Sequence, residues 1–97
     1  MNLAARAVGK SPGSTGSNFE YGFHLHKLGR VQEALGYFRK AMELDPNYEE
    51  PPHYYGELLV AEGRYDEAVP HLEKAIAIRP DYLPARVTLG RALMALE

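Results

Sequence analysis

Apolar residues recur along this chain at helical spacing, and the stripes start and stop at regular intervals. Tyr21, Leu25 and Leu28 fall at i, i+4 and i+7, one face of an amphipathic helix. Leu28-Gly29-Arg30 breaks that stripe. Ala34, Phe38, Ala41 and Leu44 form a second. Asp45-Pro46-Asn47 ends it, because proline cannot continue the hydrogen-bond ladder. The plan then repeats. Pro51-Pro52 stands at a helix start, where a missing N–H costs little. Tyr55, Gly56 and Leu59 form the first stripe and Gly63-Arg64 the turn. Ala68, Leu72, Ala75 and Ile78 form the second stripe, and Pro80 the stop. Residues 83–97 open a third round with Leu89, Gly90 and Leu93. The pattern predicts two helix pairs and one further helix.

The interval is 34 residues. Gly22, Gly56 and Gly90 keep it, as do Gly29 and Gly63, Ala34 and Ala68, Ala41 and Ala75, and Pro46 and Pro80. Residues 15–48 and 49–82 share eleven identical positions, where unrelated segments share roughly two; a fixed period of this size means stacked units. Gly22, Gly56 and Gly90 fall mid-helix, where glycine costs up to ~1 kcal/mol relative to alanine. That cost at one register implies close approach of a neighbouring helix, with Ala34 and Ala68 serving the contact from the other side. Gly36 and Pro70 also share a register, early in each second helix, and read as exposed positions that tolerate poor helix formers.

This pattern resembles the tetratricopeptide repeat, a helix–turn–helix unit of this length. The matching residues are Gly22, Ala34, Phe38, Ala41 and Pro46, then Gly56, Ala68, Leu72, Ala75 and Pro80. The stretches at 29–35 (GRVQEAL) and 63–69 (GRYDEAV) are especially similar to the family. The family's tryptophan position carries Asn18, Pro52 and Arg86 instead. The resemblance implies an all-α, right-handed superhelical stack of antiparallel helix pairs: repeats 15–48 and 49–82, with 83–97 a partial repeat or capping helix. Residues 18–97 read as the repeat domain and residues 1–17 as a flexible basic leader.

The resemblance also implies a concave groove, lined by the first helix of each unit, that takes a peptide or a partner-protein segment. Phe19, Phe23 and His26 make a second stripe on the first helix, distinct from its core stripe. The equivalents in the second unit are His53, Glu57 and Val60, with Glu50 and Tyr54 adjacent. In the third they are Val87, Arg91 and Met94. The candidate groove is therefore Phe19, Phe23, His26, His53, Tyr54, Glu57, Val87, Arg91 and Met94. Aromatics, methionine and arginine are the types enriched at binding hot spots. The alternative is that the leader folds back over the phenylalanines and Glu57 simply pairs with Arg91. A family subtype clamps a C-terminal carboxylate with lysines, asparagines and an arginine. This chain has Phe19, Phe23, Tyr54, Pro84 and Thr88 there, and none fits.

Composition narrows the rest. The chain has 97 residues, 45% of them hydrophobic, and no cysteine, which excludes disulfides and thiolate metal sites. His24 and His26 are two apart on a helix and point apart; no metal site, cofactor or catalytic group is expected. Glu33, Glu49, Glu50, Asp66 and Glu67 sit near helix starts, where they complement the dipole. The net charge of −2 argues against nucleic acid, and no apolar run suits a membrane. Residues 1–19 carry Arg6 and Lys10 and no acid. They lack a secretory signal's apolar run, only weakly resemble a transit peptide, and leave the cytoplasm as the default compartment. Ala4 to Ser11 fits a loosened phosphate-loop pattern, but no strand precedes it and Pro12-Gly13 follows.

The function expected is a non-enzymatic protein-interaction module. The alternative is an assembly element acting through the last helix. Leu83, Val87, Leu89, Leu93, Met94 and Leu96 give it more apolar surface than one neighbour hides. A longer array, a homo-oligomer through this helix, and a small domain capped by it all remain open.

Overall fold

A computed structural model describes residues 15–97, and the readings that fall wholly on residues 1–14 lie outside the described residues. Five helices and no strand occur among the described residues: α1 (Thr15–Lys27), α2 (Val31–Leu44), α3 (Glu50–Ala61), α4 (Tyr65–Ile78) and α5 (Leu83–Ala95). The all-α class and the helix pairs are as the periodicity predicts. The chain divides into two compact units, one ending at Pro46 and the other spanning Asn47–Glu97.

In the first unit α1 packs on α2. The α1 helix begins at Thr15, where the first repeat starts and three residues inside the stretch read as leader, and Asn18 in its first turn is buried. Gly22 lies against α2 so closely that a Cβ there would stand 2.9 Å from Phe38 Cε1. Phe38, Leu25, Ala34, Leu35 and Ala41 form the core. Gly29 closes α1 in the left-handed region (φ 80°), and Arg30 N–H donates to the Leu25 carbonyl at 2.9 Å. That bond satisfies a carbonyl the helix end would otherwise leave open.

The second unit repeats this plan and adds α5. Gly56 seats Leu72, and a Cβ on it would stand 2.6 Å from Leu72 Cγ. Gly63 (φ 78°) closes α3, with Arg64 N–H donating to the Leu59 carbonyl at 2.8 Å. Pro51 and Pro52 are fully buried in the first turn of α3. The turns carry matching exposed ion pairs, Arg30–Glu33 at 2.9 Å and Arg64–Glu67 at 2.8 Å. Both are solvated and add little stability. Gly36 and Pro70 are exposed, as expected of their register.

Several stripe assignments need correction. Tyr21, Leu28 and Leu44 are about half exposed rather than core. One helix partner covers a narrow arc of α1, and Asn18, Gly22 and Leu25 fill it; Tyr21 lies at its margin, against the Tyr37 ring. On α5 the expected core stripe of Leu89, Gly90 and Leu93 is replaced by Ala85, Thr88 and Ala92. These small residues let α5 lie close against its neighbours in the unit, α4 and α3. Gly90 is not a close-approach site here, since among the described residues no other element comes within 4 Å of its Cβ position.

Candidate interaction surface

The candidate residues fall into two groups, one in each unit. In the first, α1 strings three rings along one side. Phe19 and Phe23 are stacked with centroids 6.3 Å apart, and Phe23 and His26 follow at 6.2 Å. All three are half-buried. Phe19 also meets the core ring of Phe38 at 5.6 Å, so it is partly structural. Lys27 Nζ lies 5.1 Å from the Phe23 ring centroid, within cation–π range.

In the second unit His53, a candidate for ligand contact, is only 3% exposed. Its ring lies 4.7 Å from that of Tyr54 and edge-on to Tyr82 at 5.3 Å. The Tyr82 hydroxyl and His53 Nδ1 are 3.2 Å apart. His53 Nε2 is 3.9 Å from Glu57 Oε2, one helical turn on. Burial lowers the His53 pKa below its ordinary value and outweighs the opposing pull of Glu57 and Glu50. The ring is therefore neutral near pH 7. Nδ1 shares a hydrogen bond with the Tyr82 hydroxyl, while Nε2 is buried with no hydrogen-bond partner among the described residues.

Carboxylates surround this aromatic cluster. The Tyr48 hydroxyl donates to Glu50 Oε1 at 2.8 Å, and burial and that bond raise its pKa. Burial, then Glu50 and other neighbours, raise Tyr82; burial, then Glu50 and Glu57, raise Tyr54. All three phenols stay protonated near pH 7. Arg79 ties the flank together, with Nη1 3.1 Å from Glu49 and Nε 3.3 Å from Asp81.

The cluster leaves part of its edge in solvent. Tyr54 is half-buried and the Glu57 side chain is 38% exposed. On α5, Val87, Arg91 and Met94 are exposed. The Glu57 carboxylate stands 3.9 Å from the neutral His53 ring, and no ion pair joins it to Arg91 among the described residues. Thr88 is buried and its hydroxyl donates to the Pro84 carbonyl at 3.0 Å, so neither serves as a carboxylate clamp. Sequence reasoning missed Tyr48 and Tyr82, although they keep the 34-residue interval and follow the stop at Pro46 and Pro80. Among the described residues no three metal-binding side chains converge. No helix among them is long and apolar enough to cross a membrane.

The family model for the tetratricopeptide repeat matches residues 25–69 and 59–97. The chain belongs to the tetratricopeptide repeat family, whose repeats serve in general as protein–protein interaction modules and are typically non-catalytic. A comparison with curated proteins finds no match.

Proposed function

We propose that the chain is a non-enzymatic interaction module that holds a peptide or partner-protein segment on the outward side of its first helices. The observation that carries this reading is the half-exposed Tyr54–Glu57 edge of α3, backed by the buried His53 and its half-buried partner Tyr82. A side chain held from behind loses less entropy when a ligand orders it. Val87, Arg91 and Met94 on α5 add exposed apolar area and an exposed positive charge of hot-spot type. Phe19, Phe23 and His26 hold the corresponding register in the first unit. His53 acts from behind, as the support of Tyr54, rather than as a contact. The test is Arg91→Glu. The exposed side chain can change without disturbing the core, and calorimetry with a captured partner should show binding abolished. Unchanged affinity in a folded variant sinks the assignment.

One observation favours a second reading. Leu83, Val87, Leu93, Met94 and Leu96 are each about half exposed or more. Such apolar area on one helix suits an assembly role.

A further inference from the structure

The Tyr54 edge of α3 carries negative charge that its neighbours do not neutralise. Glu50, Tyr54 and Glu57 fall at i, i+4 and i+7, so two carboxylates flank the half-buried ring on one side of the helix. Glu50 accepts from the Tyr48 hydroxyl, which brings no charge to offset its own. Glu57 faces only the neutral His53 ring, at 3.9 Å. It lies past the first turn of α3, so the dipole that favours acids at a helix start does not account for it. Arg79 pairs instead with Glu49 and Asp81 on the flank.

A buried atom points the same way. His53 is 3% exposed, and its Nε2 has no hydrogen-bond partner among the described residues. The gap to Glu57 Oε2 is 3.9 Å, too long for a hydrogen bond. Unmet buried polar atoms are uncommon and mark places where a further group completes a network. Here the carboxylate that Nε2 faces is not bonded from behind, and its outer side is open to an incoming donor.

The same unit shows what such groups take. Arg79 Cζ lies 5.9 Å from the Tyr82 ring centroid, with Nη1 3.1 Å from Glu49 and Nε 3.3 Å from Asp81. One tyrosine ring and two carboxylates hold that guanidinium. Tyr54, Glu50 and Glu57 offer the same set, and among the described residues no lysine or arginine stands within ion-pair distance of either carboxylate. Arginine suits the set better than lysine, because its plane stacks on a ring while its edge donates to carboxylates.

We propose that the Glu50–Tyr54–Glu57 face of α3 seats an arginine of the partner segment, its guanidinium lying on the Tyr54 ring and donating to the two carboxylates. This rests on the reading of the Tyr54 edge as a contact surface and adds the chemistry of what it contacts.

The test titrates the isotope-labelled full chain with N-acetyl-arginine amide and follows the α3 amides by nuclear magnetic resonance. Saturable shifts centred on Tyr54 and Glu57 are expected. The neutral isostere N-acetyl-citrulline amide should give none, and N-acetyl-lysine amide should bind more weakly. Glu50→Gln and Glu57→Gln should each weaken binding about two- to fivefold, as loss of one partly exposed ion pair does. Glu73→Gln removes the same charge from an exposed position on α4 and should change nothing. Unchanged melting temperatures confirm that the variants fold. No saturable shift, shifts that the citrulline derivative reproduces, lysine binding as tight as arginine, or binding indifferent to Glu57→Gln overturns the proposal. If a captured partner is lost on Arg91→Glu while the arginine derivative fails to bind, the contact surface stands and the arginine seat alone falls.

Discussion

Gly56 on α3 and Leu72 on α4 are in such close contact that a single methyl group at position 56 would stand 2.6 Å from Leu72 Cγ. Leu72 is fully buried and cannot swing into solvent. Gly56→Ala gains helix propensity of up to ~1 kcal/mol but overpacks this contact, and overpacking costs about 1–3 kcal/mol. The net expectation is destabilisation. Gly90→Ala meets nothing and should stabilise by up to ~1 kcal/mol. Urea denaturation of the two variants should therefore move the midpoint in opposite directions.

The paired seats also differ in depth. Gly22 keeps a Cβ position 2.9 Å from the edge of a phenylalanine, whereas Gly56 already faces the branch point of a leucine. Phe38→Leu shortens a fully buried side chain and should cost no more than about 1.5 kcal/mol, as near-conservative apolar exchanges do. Leu72→Phe adds bulk where none fits and should cost more. Thermal melts of the two exchanges decide the order.

The two turns depend on backbone freedom at one residue each. Gly63 has φ 78°, a region where a Cβ is strained. Gly63→Ala should cost roughly 1–2 kcal/mol although the site is exposed and nothing crowds it. An equilibrium unfolding curve unchanged from the parent would contradict the turn geometry.

The period, the turn glycines and the helix-ending prolines all lie in the order of residues, so the five helices could be read from them. Burial could be read less well. The spacing of Tyr21, Leu25 and Leu28 marks one side of α1, but the width of the covered arc depends on how many helices pack there. Leu89, Gly90 and Leu93 copy a buried register yet stay partly exposed, because no helix is seated on them among the described residues. The His53–Tyr82 pair was not legible at all. It joins the start of α3 to the turn before α5, and only side-chain packing brings the two rings together.

That pair makes stability sensitive to acid. His53 binds its proton less readily in the folded chain than in the unfolded chain, whose imidazole titrates near 6.5. The unfolded state therefore takes up more protons as pH falls through 6.5 toward the depressed folded value. Stability is full above that window and declines through it. His53→Gln can keep a bond to Tyr82 without the titration, and should flatten the stability profile between about pH 7 and 5. A parent profile that is flat there, or a variant that declines equally, contradicts a buried neutral His53.

The central claim is that partner binding uses the outward side of α3 and α5 near Tyr54 and Arg91. Affinity capture from native lysate tests it most directly, with the parent chain and a folded Tyr54→Ala/Arg91→Glu double variant as paired baits read by mass spectrometry. The account predicts a specific protein retained by the parent and lost from the variant. Capture of the same proteins by both baits would contradict it and move the interaction to another face of the molecule.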